Sequence, residues 1–450
     1  MMLFLLNFLR QRRVYTMNLY SHQKTFLNKN PEKVLLCWDT GTGKTRAAIE
    51  YAYKNGGYVL IIVPKSVLHK WAREVVMWGD GKGEIEIITD RDMMGLSMGT
   101  YFHITTKEKF RSHSNCCNLA TTVIVDEAHY FSSMTSQMSK TLDKFIRTNE
   151  IPRILLLTAT PYMSTPWNIY TLGGLLGWKW SYPKFRDKFF EESYIGSKIV
   201  GVRKVGKKIY KPKFGIEKEM ARLVDRIGDI VDIQDAADIP EQTFEVMTVK
   251  LNAKQRKAMI ELDEDNPAVR FTKFHQIENG TLKGNAYVED RLIKNEKLDI
   301  IKTYAEGTKK IAIICRYNLQ VEQLRQVLSS IKSDVYVING ATKDKDAIVQ
   351  AVEGSRDCAV VINASCSEGY ELPSINTAIF ASLSFSYKDY KQMLGRFLRL
   401  NKLSKNFFLH LITQYGENDM RKESVDEAVY QAVKNKQNFD IAIYATSKTT

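Results

Sequence analysis

The sequence has few cysteines and lacks the cysteine spacing of a metal-binding module. Its six cysteines never stand as a CxxC pair, and none is grouped with histidines. This composition argues against zinc sites and disulfide-stapled domains and favours reduced thiols in an intracellular compartment. Long apolar runs are missing as well, since none approaches the ~20 residues that a membrane-spanning helix needs. Long internal repeats and low-complexity tracts are also absent.

The chain opens with a short apolar run in residues 1–14, MMLFLLNFLRQRRV. A secretory signal carries its basic residues before the apolar region, whereas Arg10, Arg12 and Arg13 follow it here. We therefore interpret residues 1–16 as an N-terminal extension, an amphipathic segment that packs on the folded body. Met17 is an alternative start, which the sequence alone leaves open.

Positive charge is abundant in this chain. Its 450 residues contain 65 Lys and Arg against 51 Asp and Glu, a formal net charge of +14. Such an excess favours a polyanionic partner. With 44% hydrophobic and 26% charged residues, the composition is that of a globular protein of two or three domains, and it argues against disordered and fibrous classes.

Two blocks of short apolar segments alternate with helical patterns, which is typical of parallel sheets covered by helices on both faces. The first block contains KVLLCW, YVLIIVP, TTVIVDE and RILLLTAT. The second contains KKIAIICRY, DVYVING, CAVVINA, NTAIFAS and FFLHLIT. The alternation fails between the blocks. We therefore predict an α/β protein with a first lobe at residues 17–181, a basic insertion at 182–240 and a second lobe at 241–450.

Residues 195–214 form a strongly basic stretch with seven cations and no acid. Apolar and basic residues alternate around Gly201 and Gly206, a pattern that predicts a β-hairpin. A basic hairpin with Tyr210 as a stacking face is a candidate wedge at a nucleic-acid fork. A charged hairpin that only maintains solubility is the alternative. The candidate contacts are Arg203, Lys204, Lys207, Lys208 and Lys211.

A glycine-rich turn, DTGTGKT, follows the strand KVLLCW and opens a helical pattern. This order predicts a phosphate cradle in which Gly41 and Gly43 let backbone N–H groups approach the phosphates. Lys44 is placed to reach the β- and γ-phosphates, and the Thr45 hydroxyl to bind Mg²⁺. Asp39 occupies the position of the first glycine in the longer form of this motif. The nucleotide-binding candidates are Thr40, Gly41, Thr42, Gly43, Lys44 and Thr45.

The segment VIVDEAH at residues 123–129 supplies the second half of a nucleotide-hydrolysing centre. Asp126, at the carboxyl end of its strand, is placed to hold Mg²⁺ through water, and Glu127 to orient and deprotonate the attacking water. Two adjacent acids after a strand also occur in solvated turns. The phosphate cradle upstream favours the catalytic interpretation.

With these motifs the sequence resembles superfamily 2 helicases and translocases over nearly its whole length. The resemblance makes Gln23 the glutamine that reads adenine, and it implies ATP and Mg²⁺ as cofactors. It gives His129, in the DEAH box, and Thr158 and Thr160, in LLLTATP, roles in coupling the two lobes.

Two further segments, IIVPKSVLHKW and ITTKEKF, look like the DNA-contacting motifs of the first lobe. Phosphate contacts need hydroxyls, amides and cations, which these segments provide. Lys65, taken alone, is equally consistent with a solvated lysine. The candidate contacts are Lys65, Ser66, Thr105, Thr106 and Lys107.

The second block carries the remaining motifs of that superfamily. SEGYELPSINTAIF is similar to the motif that joins nucleotide and strand binding, which implies that Glu368 and Gly369 contact the nucleotide. QMLGRFLR resembles the Q-x-x-G-R-x-x-R helix, whose glutamine couples the lobes and whose arginines face the γ-phosphate; these are Gln392, Arg396 and Arg399 here. Residues three apart share one face of a helix. An ordinary basic helix surface is the alternative.

Within superfamily 2 the sequence resembles the Swi2/Snf2-like branch. ADIPEQTFEVMTVKLNAKQRKAM is similar to the segment that enters the second lobe, and MTSQMSKTL to the turn after the DEAH box. SEGYEL departs from the glycine-rich form usual there, so chromatin remodelling is not implied. The size and motif set resemble compact, phage-encoded branch-migration helicases.

The resemblance implies two tandem RecA-like lobes and an ATP-dependent DNA helicase that remodels forks or Holliday junctions in recombination, replication or repair. We expect a monomer in the cytoplasm, or the host cytoplasm if it is phage-encoded, with branched or forked DNA as partner and no membrane or other small-molecule substrate. A double-stranded DNA translocase without strand separation, an RNA helicase and a non-enzymatic scaffold remain alternatives.

Overall fold

The computed structural model describes residues 18–78, 84–87, 100–114, 118–159, 165–200, 203–236, 242–284, 289–398, 404–416, 419 and 423–449. The predicted N-terminal extension, Thr160 and Arg399 lie outside the described residues. The side chains of Arg203, Lys204 and Lys207 also lie outside this description. No helix among the described residues is both long enough and apolar enough to cross a bilayer.

The first lobe is built on a seven-stranded parallel sheet with the strand order β3-β4-β2-β5-β6-β1-β9. All four strands expected in the first block belong to this sheet. The structure adds β3, β4 and β9. The strands are β1 Lys33–Trp38, β2 Val59–Val63, β3 Glu84–Ile87, β4 Thr100–Thr106, β5 Thr122–Val125, β6 Arg153–Leu157 and β9 Gly228–Val231.

Helices cover both faces of this sheet because its strands are apolar on both sides. In β1, Leu36 and Trp38 point to one core and Leu35 and Cys37 to the other. The helices are α1 Ser21–Lys29, α2 Lys44–Asn55, α3 Leu68–Trp78, α4 Lys107–His113, α5 Gln137–Thr148, α6 Trp167–Leu175, α7 Tyr182–Phe189, α8 Glu217–Ile227 and α9 Ile233–Ala236.

The predicted basic hairpin is present and longer than expected. Strands β7, Phe190–Val200, and β8, Arg203–Pro212, pair antiparallel. Phe190 pairs with Pro212 at the base, and the register shifts between Ile195 and Lys198. Phe190 is buried in the first-lobe core, and this anchors the hairpin to that lobe.

The expected domain boundary at residue 181 needs correction. Phe185 of α7 and Val224 of α8 are buried in the core of the first lobe, and β9 pairs with β1 in its sheet. The first lobe therefore continues to Ala236, and the hairpin is inserted within it. A strand of four residues, GDIV, is too short to show a period in the sequence.

The second lobe is a six-stranded parallel sheet with the order β10-β17-β16-β13-β15-β14. Its five predicted strands are confirmed, and β10 is added at the edge. The strands are β10 Thr243–Lys250, β13 Lys310–Cys315, β14 Asp334–Ile338, β15 Cys358–Asn363, β16 Thr377–Phe380 and β17 Phe407–Gln414. A two-stranded ribbon joins β11 Thr281–Leu282 to β12 Arg291–Leu292.

Helices again cover both faces, each with its own core. Two parallel α/β lobes and a basic hairpin confirm the predicted fold class, with the hairpin inserted within the first lobe. The second-lobe helices are α10 Ala253–Ile260, α11 Pro267–Glu278, α12 Lys297–Gly307, α13 Asn318–Leu328, α14 Lys345–Gly354, α15 Tyr387–Leu394, α16 Val425–Lys434 and α17 Ile441–Thr449.

Candidate active site

The loop between β1 and α2 has the backbone of a phosphate cradle. Gly41 and Gly43 adopt positive φ angles of 87° and 81°, a region that glycine enters without strain. A Cβ added at Gly43 would lie 2.5 Å from the side-chain nitrogen of Gln23. Gln23 is fully buried, and its Nε2 donates to the Gly43 carbonyl at 3.1 Å. The loop and the predicted adenine-reading residue are therefore in direct contact.

Lys44 begins α2 and folds back over the loop. Its ammonium donates to the carbonyl oxygens of Trp38 at 2.7 Å and Asp39 at 3.0 Å. Burial lowers the pKa of Lys44, while the carboxylates of Glu127 and Asp126 oppose that shift. A lysine that begins a helix directly after a glycine-rich loop is the arrangement that binds β- and γ-phosphates.

The two DEAH acids end β5 and have different surroundings. Oδ2 of Asp126 accepts a 2.7 Å hydrogen bond from the indole Nε1 of Trp71. Burial and the neighbouring Glu127 charge raise the pKa of Asp126 to about 6. Burial acts in the same direction on Glu127, but contact with His129 and the Lys44 charge outweigh it and hold the pKa of Glu127 below its ordinary value.

Glu127 adopts a left-handed backbone, with φ of 50°, which is strained for a residue with a Cβ. Its Oε2 lies 3.0 Å from Nδ1 of His129. Its Oε1 accepts a hydrogen bond from Nε2 of Gln392 in the second lobe at 3.3 Å. The carboxylate is therefore held from both sides, which keeps it ionised and oriented as a general base requires.

The QMLGRFLR segment lies against the phosphate loop. A Cβ at Gly395 would stand 2.6 Å from the Cβ of Thr40, so this close approach requires glycine. Arg396 is 6% exposed and donates to the carbonyl oxygens of Tyr370 at 2.7 Å and Gln392 at 3.2 Å. The guanidinium is thus fixed in place from within the second lobe.

Residues of both lobes enclose a cleft of about 690 Å³. Its glycine cradle and size fit a nucleoside triphosphate. The hydroxyl of Thr45 and the carboxylate of Asp126 are hard oxygen ligands suited to Mg²⁺ with phosphate and water completing its shell. The predicted residues on its walls are Thr40, Gly41, Gly43, Lys44, Thr45, Asp126, Glu127, Glu368, Gly369 and Arg396, with Gln23 beside the cradle.

Other predicted residues lie around this cleft. Thr42 is buried under the loop, where its hydroxyl donates to the Asp39 carbonyl at 2.7 Å. Thr158 is buried at the end of β6, and its amide donates to the carbonyl of Leu36 at 3.0 Å. Thr158 thus joins the strand ends of the first lobe, and its coupling role stays a prediction.

The first-lobe candidates for nucleic-acid contact divide into two groups. Lys65 and Ser66 are exposed. Ser66 faces the cleft, and its Cβ would lie 3.2 Å from a Cβ added at Gly369. Thr105 and Thr106 are 2% and 5% exposed, and the Thr106 hydroxyl caps α4. A nucleic-acid role for all four stays a prediction.

Lys107 points toward the interface of the lobes. Its ammonium lies 3.0 Å from the ring centre of Tyr130, whose hydroxyl donates to Oε2 of Glu368 at 3.1 Å. On the hairpin, Lys208 pairs with Glu192 at 2.5 Å and Lys211 is exposed. A nucleic-acid role for these three lysines also stays a prediction.

Three residues of this site were missed by the sequence motifs. Trp71 is the donor to Asp126, and on α15 Lys391 pairs with Asp39 at 2.5 Å. Lys388, on the same helix, donates to Nε2 of His129 at 2.8 Å. The available signal is spacing from Lys388, since Lys391 and Gln392 lie three and four residues after it and are therefore both its neighbours on the helix surface.

Sequence profiles match most of the chain. Residues 11–327 match the SNF2-related domain, and residues 294–401 match the helicase conserved C-terminal domain. A Mus musculus protein named DNA annealing helicase and endonuclease ZRANB3 is 30% identical over 156 residues, which cover 32% of this chain and 14% of that protein.

A Drosophila melanogaster protein is 20% identical to this chain over 90% of the chain and 53% of its own length. Its name is SWI/SNF-related matrix-associated actin-dependent regulator of chromatin subfamily A-like protein 1. The chain therefore spans between about one seventh and about half of the length of these two relatives.

The crystal structure of the DUF1998 helicase MrfA bound to DNA has a TM-score of 0.58 at 12% identity, covering 95% of this chain and 53% of that one. That likeness shows the tandem-lobe fold. A Sulfolobus solfataricus SWI2/SNF2 ATPase core in complex with double-stranded DNA has a TM-score of 0.41 at 17% identity, with 88% of each chain covered.

Proposed function

The chain belongs to the SNF2-related family of superfamily 2, whose members are ATP-hydrolysing helicases and translocases, and from that premise we propose that it moves on DNA and remodels branched substrates. The single observation that carries the proposal is the position of Glu127, held between His129 of its own lobe and Gln392 of the other. A base oriented only when both lobes meet links hydrolysis to lobe movement, as a motor requires.

Each residue of the cleft has a role in this proposal. The loop amides and Lys44 bind the phosphates, and Glu127 takes the proton of the attacking water. Arg396 stabilises the charge that develops on the transferred phosphoryl group. A Mg²⁺ ion held by Thr45 and Asp126 would neutralise charge on the β- and γ-phosphate oxygens.

DNA as the partner is supported by charge and by the relatives. The formal charge of +14 suits a phosphate backbone, and the mouse relative is named a DNA annealing helicase. The basic hairpin is anchored to the first lobe at Phe190. We propose that it contacts branched DNA and acts as a wedge. A phage origin and a monomeric state stay predictions.

The first experiment measures ATP hydrolysis with and without DNA. Lys44→Ala should weaken nucleotide use, while Glu127→Gln should retain ATP binding and lose turnover by about 10²-fold or more, because the base is gone but the cradle is intact. Lys302→Ala, an exposed lysine on α12 remote from the site motifs, is the control and should behave like the parent. Near-normal turnover of the Glu127→Gln protein would refute the assigned base.

The second experiment tests the hairpin on forks, Holliday junctions, tailed duplexes and RNA duplexes. Replacing Lys204, Lys207 and Lys208 with alanine should flatten the salt dependence of fork binding by about 0.9 in log K against log salt for each phosphate that these lysines neutralise. Fork unwinding should fall while single-strand-stimulated ATPase survives. A triple variant of surface lysines Lys254, Lys257 and Lys302 has the same net charge and serves as control.

The outcomes separate the alternatives. Equal unwinding by parent and hairpin variant discards the wedge. Equal loss of unwinding and ATPase places the hairpin in the core motor. ATPase stimulated by duplex DNA without any strand separation by the parent would identify a double-stranded DNA translocase, and stimulation by RNA alone would identify an RNA helicase.

A further inference from the structure

Helix α15 presents three side chains to the first lobe from one face. Lys388, Lys391 and Gln392 occupy positions i, i+3 and i+4, which lie side by side on a helix. Their partners are His129, Asp39 and Glu127 respectively. The motif glutamine is thus one of three contacts that this helix makes with the nucleotide centre.

The contact of Lys388 determines which nitrogen of His129 carries the proton. The Lys388 ammonium can only donate, and it lies 2.8 Å from Nε2 of His129. Nε2 must therefore be the acceptor, which leaves the proton of the neutral imidazole on Nδ1. Nδ1 lies 3.0 Å from Oε2 of Glu127, which is an ion-pair distance, and both atoms are buried. Neither atom makes a hydrogen bond of good geometry to any described residue, so Glu127 is the group that faces the Nδ1 proton.

Lys388 itself is held in one direction. Its side chain is 11% exposed, and its ammonium also donates to Oε1 of Glu368 at 2.8 Å. The carboxylate of Glu368 is in turn fixed by the hydroxyl of Tyr130, and Lys345 donates to the Glu368 carbonyl. A lysine whose rotamer is fixed in this way can set the orientation of its neighbour.

We propose that Lys388 is a positioning residue for hydrolysis: it fixes the His129 tautomer whose Nδ1–H holds Glu127 in place. The inference rests on the proposed role of Glu127 as the base. Since Lys388 belongs to the second lobe and His129 to the first, docking of α15 and orientation of the carboxylate become one event.

The kinetic test compares Lys388→Met and Lys388→Arg. The methionine variant keeps the apolar stem but donates nothing, so kcat should fall about 10- to 100-fold while KM for ATP stays within about twofold. The arginine variant also only donates and should recover most of the loss. Lys302→Met removes a cation from an exposed site of the same lobe and should match the parent.

A double-mutant cycle separates positioning through His129 from a general tether between the lobes. If Lys388 acts through the imidazole, Lys388→Met should cost little further kcat in a His129→Ala background. Additive losses overturn the proposal, and so does a normal kcat of Lys388→Met in the otherwise native protein. A rise in KM with unchanged kcat would assign Lys388 to lobe closure alone and also overturn it.

A measurement on the native protein remains valid even if a variant fails to fold. The chain has seven histidines, so nitrogen-15 NMR with histidine labelling can assign His129 by comparison with a His129 substitution. We expect Nδ1 protonated and Nε2 unprotonated; the opposite tautomer overturns the proposal. Failure of the proposed function is distinguishable, because it appears as retained turnover in Glu127→Gln whatever Lys388 does.

Discussion

Arg396 offers the most direct test of the trans-lobe nucleotide centre. The guanidinium lies on the wall of the cleft and is fixed by the carbonyl oxygens of Tyr370 and Gln392. We consider two substitutions. Arg396→Ala removes the cation and both hydrogen bonds, whereas Arg396→Lys keeps a cation but not the planar fork that makes the two bonds simultaneously.

Two separate magnitudes follow from this geometry. A transition-state arginine is worth about 10³-fold or more in kcat, which is about 4 kcal/mol. Each buried carbonyl left unpaired costs about 1–3 kcal/mol of folding stability, so the two together cost about 2–6 kcal/mol. For a lobe of about 200 residues that corresponds to a fall in Tm of roughly 4–24 °C.

The assay combines DNA-saturated ATPase kinetics with thermal unfolding. For Arg396→Ala we expect the loss in kcat to exceed the rise in KM, with DNA binding retained by the folded protein. Arg396→Lys should lose less kcat than alanine while still unfolding at a lower temperature than the parent. If DNA affinity collapsed while kcat at saturating DNA stayed normal, Arg396 would be a strand contact and the cleft assignment would be refuted.

Three further predictions concern single contacts. Asp426→Asn should cost about 3–5 kcal/mol of stability, because Asp426 is fully buried and pairs with Lys297 at 2.6 Å. Burial opposes ionisation of Asp426, but the Lys297 charge outweighs burial and keeps the pKa of Asp426 below its ordinary value. The stabilisation by this ion pair is therefore present above about pH 4 and is lost only as the pH falls further. An Asp426→Asn variant as stable as the parent in urea unfolding at pH 7 would contradict this prediction. Trp71→Phe removes the donor to Asp126 and should raise the half-saturating Mg²⁺ concentration of the ATPase about tenfold, whereas an unchanged Mg²⁺ titration would show that the indole does not orient that carboxylate. Gln23→Ala should reduce the preference for ATP over GTP about tenfold or more in kcat/KM, and full retention of that preference would exclude adenine reading by this side chain.

Features that depend on residues close together in the sequence could be predicted from the sequence alone. The strand, glycine turn and helix around Gly41 and Lys44 are contiguous, so their order alone predicts the strand–turn–helix unit that the structure contains. The same holds for the acids that end β5 and for the alternation that predicted the hairpin. In each case the residues that matter lie within one or two neighbouring elements, where periodicity and turn chemistry determine the backbone.

The boundary of the first lobe and the exposure of individual side chains could not be predicted from the sequence in the same way. Four residues of β9 carry too weak a pattern to reveal that they pair with β1 and extend the first lobe to Ala236. Thr105 and Thr106 stand in a motif that suggests surface contacts, yet the close packing of parallel strands buries both. Burial depends on which elements cover a residue, and a local pattern does not contain that information.

The contacts between the lobes were decided only by the tertiary structure. Lys388 and His129, Lys391 and Asp39, and Gln392 and Glu127 are each separated by more than 250 residues in the chain. Local propensity and motif spacing specify each partner within its own helix or strand end, but the distance between partners depends on how two separately packed sheets dock. The sequence therefore determined the chemical groups of the proposed nucleotide centre. The docking of α15 determined which of these groups contact one another, because hydrogen bonds and ion pairs require approach to within about 3 Å.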